Sequence, residues 1–407
     1  MVTTDPIEAA LSPLKVSVRK ALEKRLSDRP LTKQDAYTLI NAPDRDLPAL
    51  MLCASHLREQ GKGNIITYSR KVFLPLTNLC RDRCGYCTFV QAPRSTTAHT
   101  MSPEEVLDVA VEGARLGCKE ALFSLGDRPE LRHIEARRHL KSVGYESTPD
   151  YLIAMCQLVL ERTGLLPHAN AGLMTKTELL QLREFNASLG LMIENVSERL
   201  TQRGGPHFGA ASKHPTLRLA MIELAGSLGI AFTTGILIGI GETHEERVDS
   251  LLAIDRIQKS HGNIQEVIIQ NFRAKPDTRM RRSSEPTVLD MLRTIAVARL
   301  ILGPDMNIQA PPNLTPDGYQ AYLLAGINDW GGVSPLTKDF INPEAPWPHL
   351  TELKQITEDS GFQLTERLAI YPEYIAQASS YLSPQVSNRI NHLANEQGYV
   401  KKEHIQW

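Results

Sequence analysis

No run of this chain approaches the roughly 18 to 20 consecutive apolar residues that cross a bilayer. Its opening stretch, MVTTDPIEAALSPLK, lacks the apolar segment of a secretion signal. Neither a membrane span nor export is therefore expected, and the expected location is cytoplasmic. Charge of one sign is missing too, since 45 basic and 46 acidic side chains nearly cancel. That balance removes the usual electrostatic basis for binding nucleic acid, and a small, weakly charged substrate fits better. No Gly-x-Gly-x-x-Gly opens a helix after the first expected strand, which argues against a dinucleotide-binding fold. There is no low-complexity tract and no internal sequence repeat. Cysteine is scarce, at six residues, and in a reducing compartment closely spaced cysteines serve metals or redox chemistry more often than disulfides.

What the chain does contain is a rhythm. At 407 residues it can bury one large core with extensions. Residues 1–66 read as a helical packing extension: LTKQDAYTLINA and DLPALMLCASHLREQG carry apolar residues at three-four spacing, the second closed by Gly61. From Lys71 onward, seven short apolar runs alternate with amphipathic helices: KVFLPLT, EALFSL, HANAGLM, LGLMIEN, AFTTGILIGI, EVIIQNF and MNIQA. Ser102-Pro103-Glu104-Glu105 is a capping box, and its helix should end near Gly117. Such alternation predicts an α/β fold with a parallel sheet. Polar and glycine-rich residues recur at the carboxyl ends of the strands, which favours a full or partial TIM-like (β/α) barrel over 67–312. Residues 313–407 are expected to complete the substrate side, mostly as helices. Cys53, Cys118 and Cys156 lie in or beside apolar patterns and are expected to be buried packing residues.

The remaining three cysteines stand together in CRDRCGYC, after the first strand. A structural zinc site would require a fourth ligand, and the nearest downstream histidine, His99, lies in a different local setting. Ferredoxin clusters likewise take four thiolates at other spacings. Three thiolates leave one iron of a cluster open to a ligand. Arg81 and Arg83 can offset the cluster's negative charge, Gly85 permits a tight loop and Tyr86 offers a ring to a planar ligand. The competing assignment for the arginines is a solvated surface.

The spacing Cys80-x-x-x-Cys84-x-x-Cys87 resembles the signature of the radical SAM superfamily. The resemblance implies a radical SAM barrel in which these cysteines hold a 4Fe-4S cluster. It also implies that S-adenosylmethionine (SAM) takes the open iron and is cleaved to a 5'-deoxyadenosyl radical. Other strand ends fit that scheme. Gly126 and Asp127 stand where the superfamily contacts the methionyl amino group, although its usual double glycine and glutamate are replaced here. Glu194 and Asn195 end a strand where ribose hydroxyls would be met. Gly235-Ile236-Leu237-Ile238-Gly239-Ile240-Gly241-Glu242 resembles the adenine and ribose segment, in which Gly235 and Gly239 would let the adenine approach the backbone and Glu242 would orient the cofactor loop or cap the next helix. Ordinary turn and capping roles compete for each of these residues.

Longer stretches narrow the family. VFLPLTNLCRDRCGYCTF, ALFSLGDRPE, IQEVIIQNFRAKPDTRM, NIQAPPNL, AGINDWGGVSPLT and NPEAPWPHL resemble the 7,8-didemethyl-8-hydroxy-5-deazariboflavin (FO) synthases, specifically their ring-closing subunit. The resemblance implies that a companion radical SAM subunit joins a tyrosine-derived hydroxybenzyl unit to 5-amino-6-(D-ribitylamino)uracil. This chain would close the central ring with loss of ammonia, giving the chromophore of coenzyme F420, and an electron donor is implied. A uracil bearing a polyol calls for directed hydrogen bonds, which Gln270, Asn271, Gln309, Asn313 and Asn328 can supply. Lys275 and Asp329 join them as expected substrate contacts. Asp329, Lys275 and Tyr86 are the expected proton carriers, with Asp329 and Tyr86 placed as catalytic. Trp330 and Trp347 would either stack on the heterocycle or pack in the core. The competing functions are another radical SAM reaction, such as the coupling subunit or an aminofutalosine-type menaquinone enzyme, a non-catalytic iron-sulfur protein, and a zinc-stabilised binding protein.

Overall fold

The computed structural model describes residues 6–406; residues 1–5 of the expected N-terminal extension, and residue 407, lie outside the described residues. Four helices come first: α1 (Pro6–Leu11), α2 (Val16–Leu26), α3 (Lys33–Ile40) and α4 (Leu47–Lys62). Helix α4 runs through Gly61 and stops at Gly63, which has a positive φ of 60°. Gly61 serves packing instead, because a Cβ there would stand 2.3 Å from the Pro304 carbonyl oxygen.

From Ile65 strands and helices alternate: β1 (Ile65–Thr77), α5 (Pro103–Arg115), β2 (Glu120–Leu125), α6 (Ile134–Ser142), α7 (Thr148–Thr163), β3 (Leu166–Asn170), α8 (Lys176–Phe185) and β4 (Ser188–Gly190). The chain continues through α9 (Pro215–Ser227), β5 (Phe232–Ile238), α10 (His244–His261), β6 (Ile264–Asn271), α11 (Val288–Leu302) and β7 (Ile308–Gln309). Each of the seven apolar runs overlaps one strand. Reciprocal capping boxes start α5 at Ser102 and Glu105, α8 at Thr175 and Glu178, and α10 at Thr243 and Glu246.

The eighth strand, β8 (Asp329–Val333), pairs with β7 on one side and β1 on the other, and β1 also pairs with β2, so the parallel sheet closes into a barrel. This strand lies beyond residue 312, where the barrel was expected to end. DWGGV has no apolar run to announce it, and its place is set by backbone partners on both sides.

After α12 (Leu350–Asp359), a further strand β9 (Gln363–Arg367) pairs with the start of β1, from Ile65 opposite Gln363 to Ser69 opposite Arg367. The chain then runs through buried Leu368, Ala369, Ile370 and Tyr371. These pack with Leu166, Ala187 and Ala231, at or just before the starts of β3, β4 and β5, so the segment crosses the amino-terminal end of the barrel. The closing helices α13 (Pro372–Ile375), α14 (Ala378–Tyr381) and α15 (Pro384–Leu393) cover that end.

Alternation along the strands divides outside from inside. On β1, Val72, Leu74 and Leu76 join the main apolar core, while Lys71 and Phe73 face the lumen. Residues of α2, α3 and α4 share a second apolar cluster with Val248 of α10 and Val297 and Leu300 of α11. Cys53, Cys118 and Cys156 are all buried.

Candidate active site

A cavity of about 320 Å³ opens at the carboxyl ends of the strands and runs down the lumen, within the range of roughly 300–1,000 Å³ usual for small-molecule sites. Cys80, Cys84 and Cys87 all line it. The loop that carries them is tied in place by its backbone. The N–H of Arg81 donates to the Asp127 carbonyl at 2.9 Å, that of Gly85 to Pro206 at 2.6 Å, and that of Arg83 to Gly209 at 3.3 Å. The Cys80 sulfur accepts the N–H groups of Asp82 at 3.3 Å and Asp127 at 3.2 Å. Burial pushes the Cys80 and Cys84 thiols up to about 12, and at Cys84 Lys213 and Arg218 offset part of that rise. Among the described residues no three His, Cys, Asp or Glu side chains converge on a single-ion site; a cluster taking one thiolate per iron asks for no such convergence.

Around the loop stand the residues that confine it. A Cβ at Gly126 would stand 1.8 Å from the Leu79 carbonyl oxygen, so only glycine lets β2 end beneath the loop. Asp127 accepts the Leu173 N–H at 3.2 Å and pairs with Arg81 at 2.7 Å. Glu194 lines the cavity with a φ of 61°, rare for a residue with a side chain. One of its carboxylate oxygens meets Lys213 at 2.6 Å and the other, buried, has no protein partner. Tyr86 also lines the wall, its hydroxyl 3.1 Å from His207 Nε2. Burial raises the Tyr86 phenol well above its ordinary value and pushes His207 down to about 3, so both stay neutral.

Deeper in the lumen the walls turn polar and charged. Lys71, Glu120, His168, Gln265, Glu266, Gln309 and Arg367 line this floor. Arg367, reaching up from β9, donates to both oxygens of Asp329, at 2.6 and 3.0 Å, and to Glu266 at 3.0 Å. The Tyr371 hydroxyl adds a bond to Glu266 at 2.9 Å. The Lys71 ammonium lies 5.7 Å from the centre of the Trp347 ring.

Residues 74–254 match the sequence family described as the radical SAM superfamily. The 7,8-didemethyl-8-hydroxy-5-deazariboflavin synthase of Methanopyrus kandleri is 50% identical over 337 residues, which is 83% of this chain and 100% of that relative. The chain belongs to the FO synthase family of radical SAM enzymes. The FO synthases of Streptomyces coelicolor and Mycobacterium tuberculosis are each 46% identical, over 98% and 93% of this chain. The chain spans about half of those relatives, 47% and 46% of their length. Of solved structures, methylornithine synthase superposes with a TM-score of 0.67 at 21% identity, over 84% of this chain and 97% of that one. The [FeFe]-hydrogenase maturase HydG gives 0.73 at 15%, over 95% and 83%. At such identities the likeness is one of fold.

Membership in the FO synthase family gives the chain a role in FO synthesis and implies a 4Fe-4S cluster with SAM. The loop fits a cluster: three sulfurs face one cavity, backbone donors reach the Cys80 sulfur, and two cations stand near Cys84. The charge compensation differs from expectation, since Arg83 is exposed and Arg81 is paired with Asp127, leaving Lys213 and Arg218 beside Cys84.

Of the expected site residues, Tyr86, Gly126, Asp127, Glu194, Gln270, Asn271, Lys275 and Gln309 line the cavity with the cysteines. The others do not. Asn195 turns back to accept the Ser197 N–H at 2.8 Å. Gly235 packs on β6, where a Cβ would stand 2.1 Å from the Ile268 carbonyl oxygen, and Gly239 abuts Pro286. Glu242 folds over its own loop, accepting the N–H groups of Gly239 and Ile240, each at 2.8 Å. Asn313 is held by Asp339 and the Ala345 carbonyl. Asn328 is bonded to Arg299, Asn307 and the Ile308 N–H, behind the barrel wall. Asp329, expected to carry protons, is fully buried beneath the cavity and committed to Arg367. Trp330 is core, with its N–H on Thr357, whereas Trp347 lines the cavity.

The sequence reading missed the floor: Lys71, Glu120, His168, Glu266 and Arg367. Alternation within the strands carried a signal, because Glu120, Leu122 and Ser124 on β2 and His168 and Asn170 on β3 recur at period two and all face inward.

Proposed function

We propose that the chain closes the deazaflavin ring. It would convert 5-amino-5-(4-hydroxybenzyl)-6-(D-ribitylimino)-5,6-dihydrouracil to FO, releasing ammonia, 5'-deoxyadenosine and methionine, and so act as a carbon-nitrogen lyase. The observation that carries this is a single lumen joining the three-cysteine loop at its mouth to a polar floor. Cys80, Cys84 and Cys87 would hold the cluster, with Tyr86, Gly126, Asp127 and Glu194 bordering SAM. When bound, cluster and SAM supply hydrogen-atom abstraction. The chain's own part is to orient the adduct and keep water away. Gln270 and Asn271 stand near the rim, the latter with a buried, unpartnered Oδ1, and Gln309 stands lower. Of the expected proton carriers, Lys275 suits the task best, since it lines the cavity and its Nζ lies 2.8 Å from Asn342 Oδ1 and 3.8 Å from the Glu344 carboxylate. Asp329 instead positions Arg367.

A separate coupling enzyme would supply the adduct, in line with the chain spanning about half of the longer relatives, and a reductant would supply the electron. The test is anaerobic reconstitution with SAM, a reductant and the adduct, following 5'-deoxyadenosine and deazaflavin fluorescence. Both should appear. Deoxyadenosine without deazaflavin would move the reaction elsewhere in the superfamily, and neither product from a cluster-loaded sample would overturn the reading.

A further inference from the structure

The lumen contains one side chain whose orientation and tautomer are both set by the fold and whose free atom has no protein partner. His168, on β3, is 8% exposed and lines the cavity. Its Nδ1 lies 2.6 Å from the Ser188 hydroxyl. That hydroxyl donates its only hydrogen to the carbonyl of Ala369, an acceptor with nothing to donate. Ser188 must therefore accept from His168, and the ring proton sits on Nδ1. Nε2 is left with a lone pair, and it makes no hydrogen bond among the described residues. Gly190 leaves room beside it, for a Cβ there would stand 3.0 Å from Nε2. Burial, with Lys71 and Arg367, pushes His168 down to about 4 against the opposing pull of Glu120, so the ring stays neutral and Nε2 remains an acceptor.

The register gives the depth of this acceptor. His168 pairs with Leu122, three residues before the end of β2 at Leu125, and Leu125 pairs with Thr77 just before the cysteine loop. At the rise of a parallel strand the acceptor lies about 10 Å below the rim. Chemistry driven from the cysteine loop takes place near the rim, so the part of the substrate that reaches His168 is the part farthest from the reacting carbons. In the adduct that part is the polyol chain, a row of hydroxyl donors.

We propose that His168 is a specificity-determining residue whose Nε2 accepts a hydrogen bond from a hydroxyl of the substrate's polyol chain. This rests on the proposed function above. Ser188 and the Ala369 carbonyl are positioning groups, which ties recognition of the chain to the segment crossing the base of the barrel.

The experiment compares wild type and His168→Phe on the ribityl adduct and on adducts lacking single chain hydroxyls, with KM and kcat determined separately from deazaflavin formation. Wild type should lose about 10-fold or more in kcat/KM when one particular hydroxyl is removed. His168→Phe should show a similar loss on the full adduct, chiefly in KM, and should no longer distinguish that hydroxyl. His168→Gln, which keeps an acceptor, should recover part of the discrimination, and this variant with Ser188→Ala carries the comparison if the phenylalanine variant does not fold. Equal handling of all the adducts by wild type, or undiminished discrimination in His168→Phe (or, should that variant not fold, in both His168→Gln and Ser188→Ala), overturns the inference while leaving ring closure intact. Failure of wild type to process even the ribityl adduct instead overturns the proposed function.

Discussion

At Gly126 a methyl group would stand 1.8 Å from the Leu79 carbonyl oxygen and 2.7 Å from the Cys80 Cβ. Both neighbours belong to the loop that carries the thiols, so the clash can be relieved only by moving the loop. Gly126→Ala is expected to cost about 1–3 kcal/mol, as overpacking does, and to lower iron and sulfide content after anaerobic reconstitution. Full cluster loading in that variant would contradict the tight crossing. His168 gives a second prediction at this scale. Its folded value of about 4 lies below the ordinary 6.5, so between those pH values the unfolded chain binds a proton that the folded one refuses. The contribution is fully present above pH 6.5 and is lost as pH falls toward 4. Melting temperatures over this window should therefore decline less steeply in His168→Gln than in wild type, and parallel curves would disprove the assignment. Single residues were legible in the sequence where they sit in a contiguous motif. The three cysteines stand out by their spacing, by the aromatic Tyr86 before the last of them and by their place after the first strand. His168 was not, because the partners that give it meaning, Ser188 and Ala369, lie 20 and 201 residues away.

Strand β9 brings one guanidinium between two buried carboxylates at the base of the lumen. Arg367 holds Asp329 and Glu266, and Thr67 also donates to Asp329. Removing the guanidinium would leave two buried carboxylates with their main compensating charge gone. Arg367→Met is expected to cost about 3–5 kcal/mol, and adding Asp329→Asn should restore part of the loss. Chemical denaturation of the single and double variants measures both, and a near-neutral single variant would show that water or protonation already compensates. At this scale helix starts were well marked, because Ser or Thr followed three residues later by Glu satisfies backbone donors locally. Strands with apolar runs were equally plain. β8 is not legible because DWGGV presents neither alternation nor a run, and Gly61 looks like a helix end in the sequence although Gly63 holds the positive φ.

Over the whole molecule, basic and acidic side chains nearly cancel, and no helix among the described residues is long and apolar enough to cross a membrane. The alternation of strand and helix, the capped helices, the buried single cysteines and the thiol loop after the first strand were determined by the sequence alone. Each rests on local spacing, and local spacing sets backbone hydrogen bonding and the facing of side chains without reference to distant segments. The tertiary structure decided which amides reach the lumen and which are committed behind the wall, that Asp329 pairs with Arg367 and does not face the cavity, and that His168 turns a bare nitrogen inward. These outcomes depend on barrel closure, which brings together residues far apart in the chain, and on burial, which determines whether each polar atom meets a partner or the cavity.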